Sequence, residues 1–119
     1  MNMVWVTLQV SSLDESLAFY NGKLGLPVSR KIEREDVKIV FLGEEADAKV
    51  ELIWRGGGKV EDAGKGISVG FMVEELEALL ERLAGTVSEI EGPFSPNPGM
   101  SYYRVKDPDG YTVQLCTQK

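Results

Sequence analysis

Residues 4–22, VWVTLQVSSLDESLAFYNG, and residues 67–85, ISVGFMVEELEALLERLAG, are one arrangement written twice. Each opens on seven residues ending in valine, passes a short polar hinge ending in leucine, and continues as a helical pattern closing on glycine. The shift between copies is 63 residues, and it also carries Val50-Glu51-Leu52 onto Val113-Gln114-Leu115. Two copies of one supersecondary unit are expected to face each other, with a ligand between them.

Working outward, Val4, Val6, Leu8 and Val10 fall on one face of the opening stretch, with Trp5, Thr7 and Gln9 on the other. Period two over this length predicts a strand over 3–10. Ser12 and Glu15 form a capping box, and Leu13, Leu17, Tyr20 and Leu24 recur at helical spacing until Gly25. Asn21-Gly22 falls in that helix's last turn and is not read as a hairpin. Strands are expected over 28–34, 37–43 and 49–55. The second unit repeats the order: a strand over 67–73, a helix over 75–83, and strands near 87–90, 101–106 and 111–117. Residues 92–99 contain Pro93, Pro96 and Pro98 and are expected to be a loop. Asp107-Pro108-Asp109-Gly110 is a tight turn. The fold class is therefore α+β: two βαβββ repeats, about 3–55 and 66–117, in a single domain of 1–119. They are expected to form a curved mixed sheet around a cleft, with helices on the convex face.

Composition excludes several functions. The net charge of −6 argues against nucleic acid, which demands clustered Lys and Arg. No apolar run reaches the ~20 residues of a membrane span and no signal region opens the chain, so a cytoplasmic location without membrane contact is expected. One cysteine, Cys116, makes no internal disulfide, and without a histidine it is read as a small buried hydrophobe, not a nucleophile. The absence of histidine also rules out a Ser–His–Asp arrangement. Gly56-Gly57-Gly58-Lys59 lacks the spacing of a phosphate loop and reads as a linker running to Gly66.

The face opposite the helix in each unit carries Trp5, Thr7, Gln9, Phe41 and Glu51 in the first and Ser68, Tyr102, Arg104 and Gln114 in the second. A solvated face would hold fewer aromatics and a core no glutamate, so this mixture predicts a ligand-binding surface. Trp54 has the opposite parity to Glu51 and is expected beneath the helix.

Residues 6–26, VTLQVSSLDESLAFYNGKLGL, and residues 105–115, VKDPDGYTVQL, resemble the opening and closing motifs of the glyoxalase/bleomycin resistance protein/dioxygenase superfamily, the vicinal oxygen chelate proteins. In metal-dependent members that resemblance implies four metal-holding positions on the first and fourth strands of each unit, usually His, Glu, His and Glu or a two-His-one-carboxylate subset. Carried over, these positions fall on Trp5, Glu51, Ser68 and Gln114, and only Glu51 retains a ligand type. Zinc, nickel and iron sites need imidazole or thiolate donors, so loss of the metal is expected and no cofactor is predicted.

The resemblance then implies a metal-free small-molecule binding protein, similar to bleomycin-resistance-type sequestering proteins and paired as a homodimer. The expected ligand is cationic and partly planar, held by Trp5, Thr7, Phe41, Glu51, Ser68, Tyr102, Arg104 and Gln114. Glu51 is the one candidate for a catalytic base, and its expected alternative is a carboxylate satisfied by Arg104, Arg55 or Gln114. A lyase or dioxygenase with an atypical metal site or metal-free acid–base chemistry is the alternative function. A filled cleft serving only protein association is a third.

Overall fold

The computed structural model describes residues 1–87 and 89–118, which divide into two compact units, Met1–Glu61 and Asp62–Lys119. In the first, β1 (Trp5–Gln9) leads into α1 (Leu13–Leu17), followed by β2 (Val28–Glu33), β3 (Lys38–Leu42) and β4 (Lys49–Trp54). The sheet order is β1-β4-β3-β2, with β1 parallel to β4 and the other pairs antiparallel. In the second unit β5 (Ser68–Met72) and α2 (Leu76–Leu83) precede β6 (Glu91–Asn97), β7 (Met100–Lys106) and β8 (Thr112–Gln118). The order β5-β8-β7-β6 repeats the first sheet, with β5 parallel to β8. The α+β class and the βαβββ duplication are therefore both present.

Helix α1 starts as its sequence dictates: Ser12 caps it, the Glu15 amide donating to Ser12 Oγ at 3.2 Å. The helix is not uniform to its end, as its spacing had predicted. Ala18–Lys23 widens into a π turn, and the Leu24 amide reaches back five residues to the Phe19 carbonyl at 2.9 Å. Widening lets the consecutive rings of Phe19 and Tyr20 both bury, edge to face at 4.9 Å. Gly25, at φ +79°, then turns the chain in the left-handed region. Beneath them the core is Leu8, Val40, Leu42, Val50 and Leu52, all essentially excluded from solvent. Each such side chain contributes about 1.5–3 kcal/mol on burial.

In the second unit Leu76, Leu79 and Leu83 of α2 are buried, as are Val105, Val113 and Leu115 of the sheet. Asp107 builds the turn before β8: its buried Oδ1 accepts from the amides of Asp109 and Tyr111, both at 2.9 Å. Gly64, at φ +67°, lets the linker lie against the Tyr111 ring; a Cβ there would stand 2.6 Å from Tyr111 Cδ1.

One expectation is corrected. The sixth strand lies not at 87–90, of which Ser88 is outside the described residues, but at Glu91–Asn97, in the proline-rich stretch expected to be a loop. Prolines survive there because β6 is an edge strand. It pairs only with β7, and its register shifts between Glu91 and Phe94 and again between Phe94 and Asn97. Edges and bulges are where a missing N–H removes no ladder bond. Among the described residues no helix is long and apolar enough to cross a membrane.

Candidate functional site

In the first unit Thr7 on β1, Glu51 on β4 and Phe41 on β3 stand in one register row. All three face away from the buried Leu8, Val40 and Leu52, as the period-two pattern requires. The Thr7 hydroxyl donates to Glu51 Oε1 at 2.5 Å. Parallel pairing of β1 with β4 makes that bond possible by setting the two residues side by side. Trp5 lies on the same face, 52% exposed, and meets Phe41 edge-on with ring centroids 5.6 Å apart. Such an aromatic pair is a ready wall for a planar ligand.

Glu51 thus has a partner within its own unit, the Thr7 hydroxyl. Thr7 is neutral, so the carboxylate keeps its negative charge on a half-buried surface; among the described residues it makes no ion pair. Beside Trp5 and Phe41 opens a cavity of about 460 Å3, with Arg30, Glu45, Asp47 and Lys49 on its other walls. Lys49 is committed to the β3–β4 turn, where its Nζ donates to the Glu45 and Asp47 carbonyls.

In the second unit Gln114 on β8 and Arg104 on β7 share a row that continues to Glu91 on β6. Glu91 takes the Arg104 guanidinium in two long contacts, 3.3 Å at Nη2 and 3.4 Å at Nε. Hydrogen bonding to Glu91 first, then its charge, pushes the Arg104 pKa above its ordinary value. Arg104 also lies over the Phe94 ring at 4.9 Å, and Phe94 stacks on Tyr102 at 5.3 Å with a 34° tilt. Ser68 pairs in register with Thr112, two residues along the strand from Gln114. Gly70 stands beside Gln114; a Cβ on it would come within 3.5 Å of Gln114 Oε1. Cys116 is free and buried, and burial pushes its thiol pKa up, away from a nucleophile's.

Glu91 and Phe94 were missed because they sit on the strand hidden by prolines. The readable signal was Arg104 itself, a cation on a half-buried face that needs a counter-charge. Trp54 is half-buried on the helix side, as expected from parity, with Lys38 Nζ 5.4 Å above its ring.

With the two repeated βαβββ units in place, a family model matches the chain across residues 2–115. The chain belongs to the Glyoxalase/Bleomycin resistance protein/Dioxygenase superfamily. It is 32% identical to a probable lactoylglutathione lyase of Vibrio cholerae, over 94% of this chain and 87% of that one. It is 29% identical to the lactoylglutathione lyase of Salmonella typhimurium, over 100% of this chain and 94% of that one. The trypanothione-dependent glyoxalase I of Leishmania major superposes with a TM-score of 0.75 at 28% identity, covering 98% of this chain and 86% of that one.

Metal-dependent superfamily members imply a metal, and the residues here do not fit one. Trp5 offers only an N–H donor, Ser68 a neutral hydroxyl and Gln114 a neutral amide. Glu51 alone is an anionic ligand, and among the described residues no group of three or more His, Cys, Asp or Glu is placed to hold an ion.

Proposed function

We propose that this protein binds a cationic, partly planar small molecule and does so without a resident transition metal. One observation carries this reading: an exposed Trp5 ring meeting the half-buried Phe41 ring on the face of Glu51, whose carboxylate has a neutral partner and so an unspent charge. Rings supply area and a cation–π face, while the carboxylate attracts the positive end. The cavity beside the two rings, about 460 Å3 and lined by Glu45 and Asp47 rather than Glu51, is within the size range of small-molecule sites. Tyr102, Arg104, Ser68 and Gln114 supply the corresponding surface of the second unit. There Arg104 is matched by the Glu91 carboxylate.

The test is a thermal-shift screen of cationic aromatic compounds on wild type, Trp5→Ala and Glu51→Gln, with elemental analysis of protein purified without chelators. Ligand at ~100 times its Kd stabilises by about 2.7 kcal/mol, a Tm rise of roughly 8–16 °C for a chain of this size. Both variants should lose most of that rise. Equal shifts in all three proteins, or stoichiometric bound metal, overturn the reading.

The names of the relatives favour a second reading, a lyase acting on a glutathione adduct. It predicts formation of lactoylglutathione from methylglyoxal and glutathione above the uncatalysed rate, abolished by Glu51→Gln. The favoured reading predicts no such rate, with or without added nickel or zinc.

A further inference from the structure

Arg30 lines the cavity beside Trp5 and Phe41, and its place there follows from register. The β2–β3 ladder sets Arg30 beside Phe41, and the β3–β4 ladder sets Phe41 beside Glu51. Directly paired residues share a face, so Arg30, Phe41 and Glu51 make one row across β2, β3 and β4, on the side away from Val40 and Leu52. Adjacent strands lie about 4.8 Å apart, which puts Arg30 and Glu51 about 10 Å apart at the backbone, with Phe41 between them. Trp5 widens that apolar middle by meeting Phe41 edge-on.

Both ends of the row hold an unmatched charge. Arg30 is exposed and, among the described residues, makes no ion pair and no side-chain hydrogen bond. Glu45 and Asp47 line the same cavity, yet neither closes an ion pair with it. At the other end Glu51 has only the neutral Thr7 hydroxyl. Nor do Arg30 and Glu51 pair with each other, and across about 10 Å, one Debye length in ~0.1 M salt, exposed charges are largely screened. A guest carrying only a positive charge would match Glu51 and leave Arg30 as a like charge on the same face. The cavity walls add no bias of their own, since Arg30 and Lys49 balance Glu45 and Asp47. A guest with a positive end, a flat apolar body and a negative end satisfies the whole row.

Given the reading of this face as a site for a cationic, partly planar molecule, on which the inference rests, we propose that the molecule is a zwitterion with its charges at opposite ends of one ring. Its ammonium meets Glu51, its ring lies against Phe41 and Trp5, and its carboxylate takes the Arg30 guanidinium. The planar fork of an arginine fits a carboxylate through paired N–H···O bonds, as the point charge of a lysine does not, so Arg30 selects for the acid end.

The experiment is a titration of the 15N-labelled full chain with 4-(aminomethyl)benzoate, beside its methyl ester and phenylalanine. The ester keeps the ring and the cation and removes only the negative charge. Phenylalanine carries both charges on one carbon, too close together to span the row. Wild type should show saturable shifts at the amides of Arg30, Phe41 and Glu51, with the acid bound about fivefold more tightly than its ester or phenylalanine. Added salt should narrow that preference. Arg30→Gln should bring the acid-to-ester ratio to about one, Arg30→Lys should restore part of it, and Glu51→Gln should weaken both compounds. Arg30 is exposed on the edge strand β2, so its substitution does not put folding at risk. Saturable ester binding as tight as that of the acid, an unchanged ratio in Arg30→Gln, or phenylalanine bound as tightly as the acid overturns the zwitterion and leaves the cation site standing. Failure of both acid and ester to bind, or acid binding unmoved by Glu51→Gln, overturns the two together.

Discussion

The contact between Thr7 and Glu51 can be measured directly. Thr7→Val removes the hydroxyl while keeping the β-branched shape, and Glu51→Gln removes the charge while keeping the length. Glu51 otherwise faces the apolar ring of Phe41 across β3. A hydrogen bond to a charged group contributes about 1.5–3 kcal/mol. Glu51 is half-buried and Thr7 exposed, so water competes and the contribution falls to about 1 kcal/mol. Urea unfolding of wild type, both single variants and the double variant closes a thermodynamic cycle. The expected coupling is about 1 kcal/mol favouring the pair, and Thr7→Val alone should lower Tm by roughly 3–6 °C. The same variant should weaken a cationic ligand less than Glu51→Gln does, since the charge remains and only its aim is loosened. A coupling below about 0.3 kcal/mol, the usual limit of additivity, would refute the contact and with it the account of how Glu51 is held.

Gly64→Ala should destabilise the chain by about 2–4 kcal/mol in the same assay, combining a left-handed φ with a Cβ driven into the Tyr111 ring. Burial raises the Cys116 thiol, so above the ordinary thiol value of about 8.5 the unfolded chain releases a proton that the folded chain keeps. Its contribution is complete below that pH and is lost as pH rises further; the urea midpoint should fall above pH ~8.5 more steeply in wild type than in Cys116→Ala. Met3, Val4, Trp5, Ile67 and Met72 are large, apolar and exposed. We expect two copies to associate over such surface, giving twice the 13.1 kDa chain mass by light scattering, and monomers would argue against pairing.

Where the sequence was legible, local physics and tertiary packing agreed. The alternation of Val6, Leu8 and Val10 with Trp5, Thr7 and Gln9 names both the strand and its buried face, because period two leaves no other assignment. The 63-residue shift then places Gln114 opposite Arg104 as Glu51 is placed opposite Phe41, and both registers hold. What could not be read locally was set by neighbours. The π turn over Ala18–Lys23 answers the joint burial of Phe19 and Tyr20, a demand of the sheet beneath and not of any residue's propensity. The β6 strand is stable because β7 supplies its ladder on one side only, a condition invisible in the string of prolines at Pro93, Pro96 and Pro98.

The same distinction applies to the site. Residue identity shows which chemistry is absent: no arrangement of Trp5, Ser68 and Gln114 supplies imidazole or thiolate. It does not show how the remaining charges are shared, since that depends on which strand lies beside which. Glu51 and Arg104 are the charged members of the predicted surface, one in each unit. The strand order within each unit gives each of them a different partner. Glu51 is given to Thr7 by parallel pairing of β1 with β4, and Arg104 is given to Glu91 by β6. A neutral donor and a matched ion pair have opposite consequences, one leaving a charge to be used and the other cancelling it. The proposed preference for a cation therefore rests less on the acidic composition of the chain than on topology, which leaves one carboxylate without a counter-charge on the face that carries two aromatic rings.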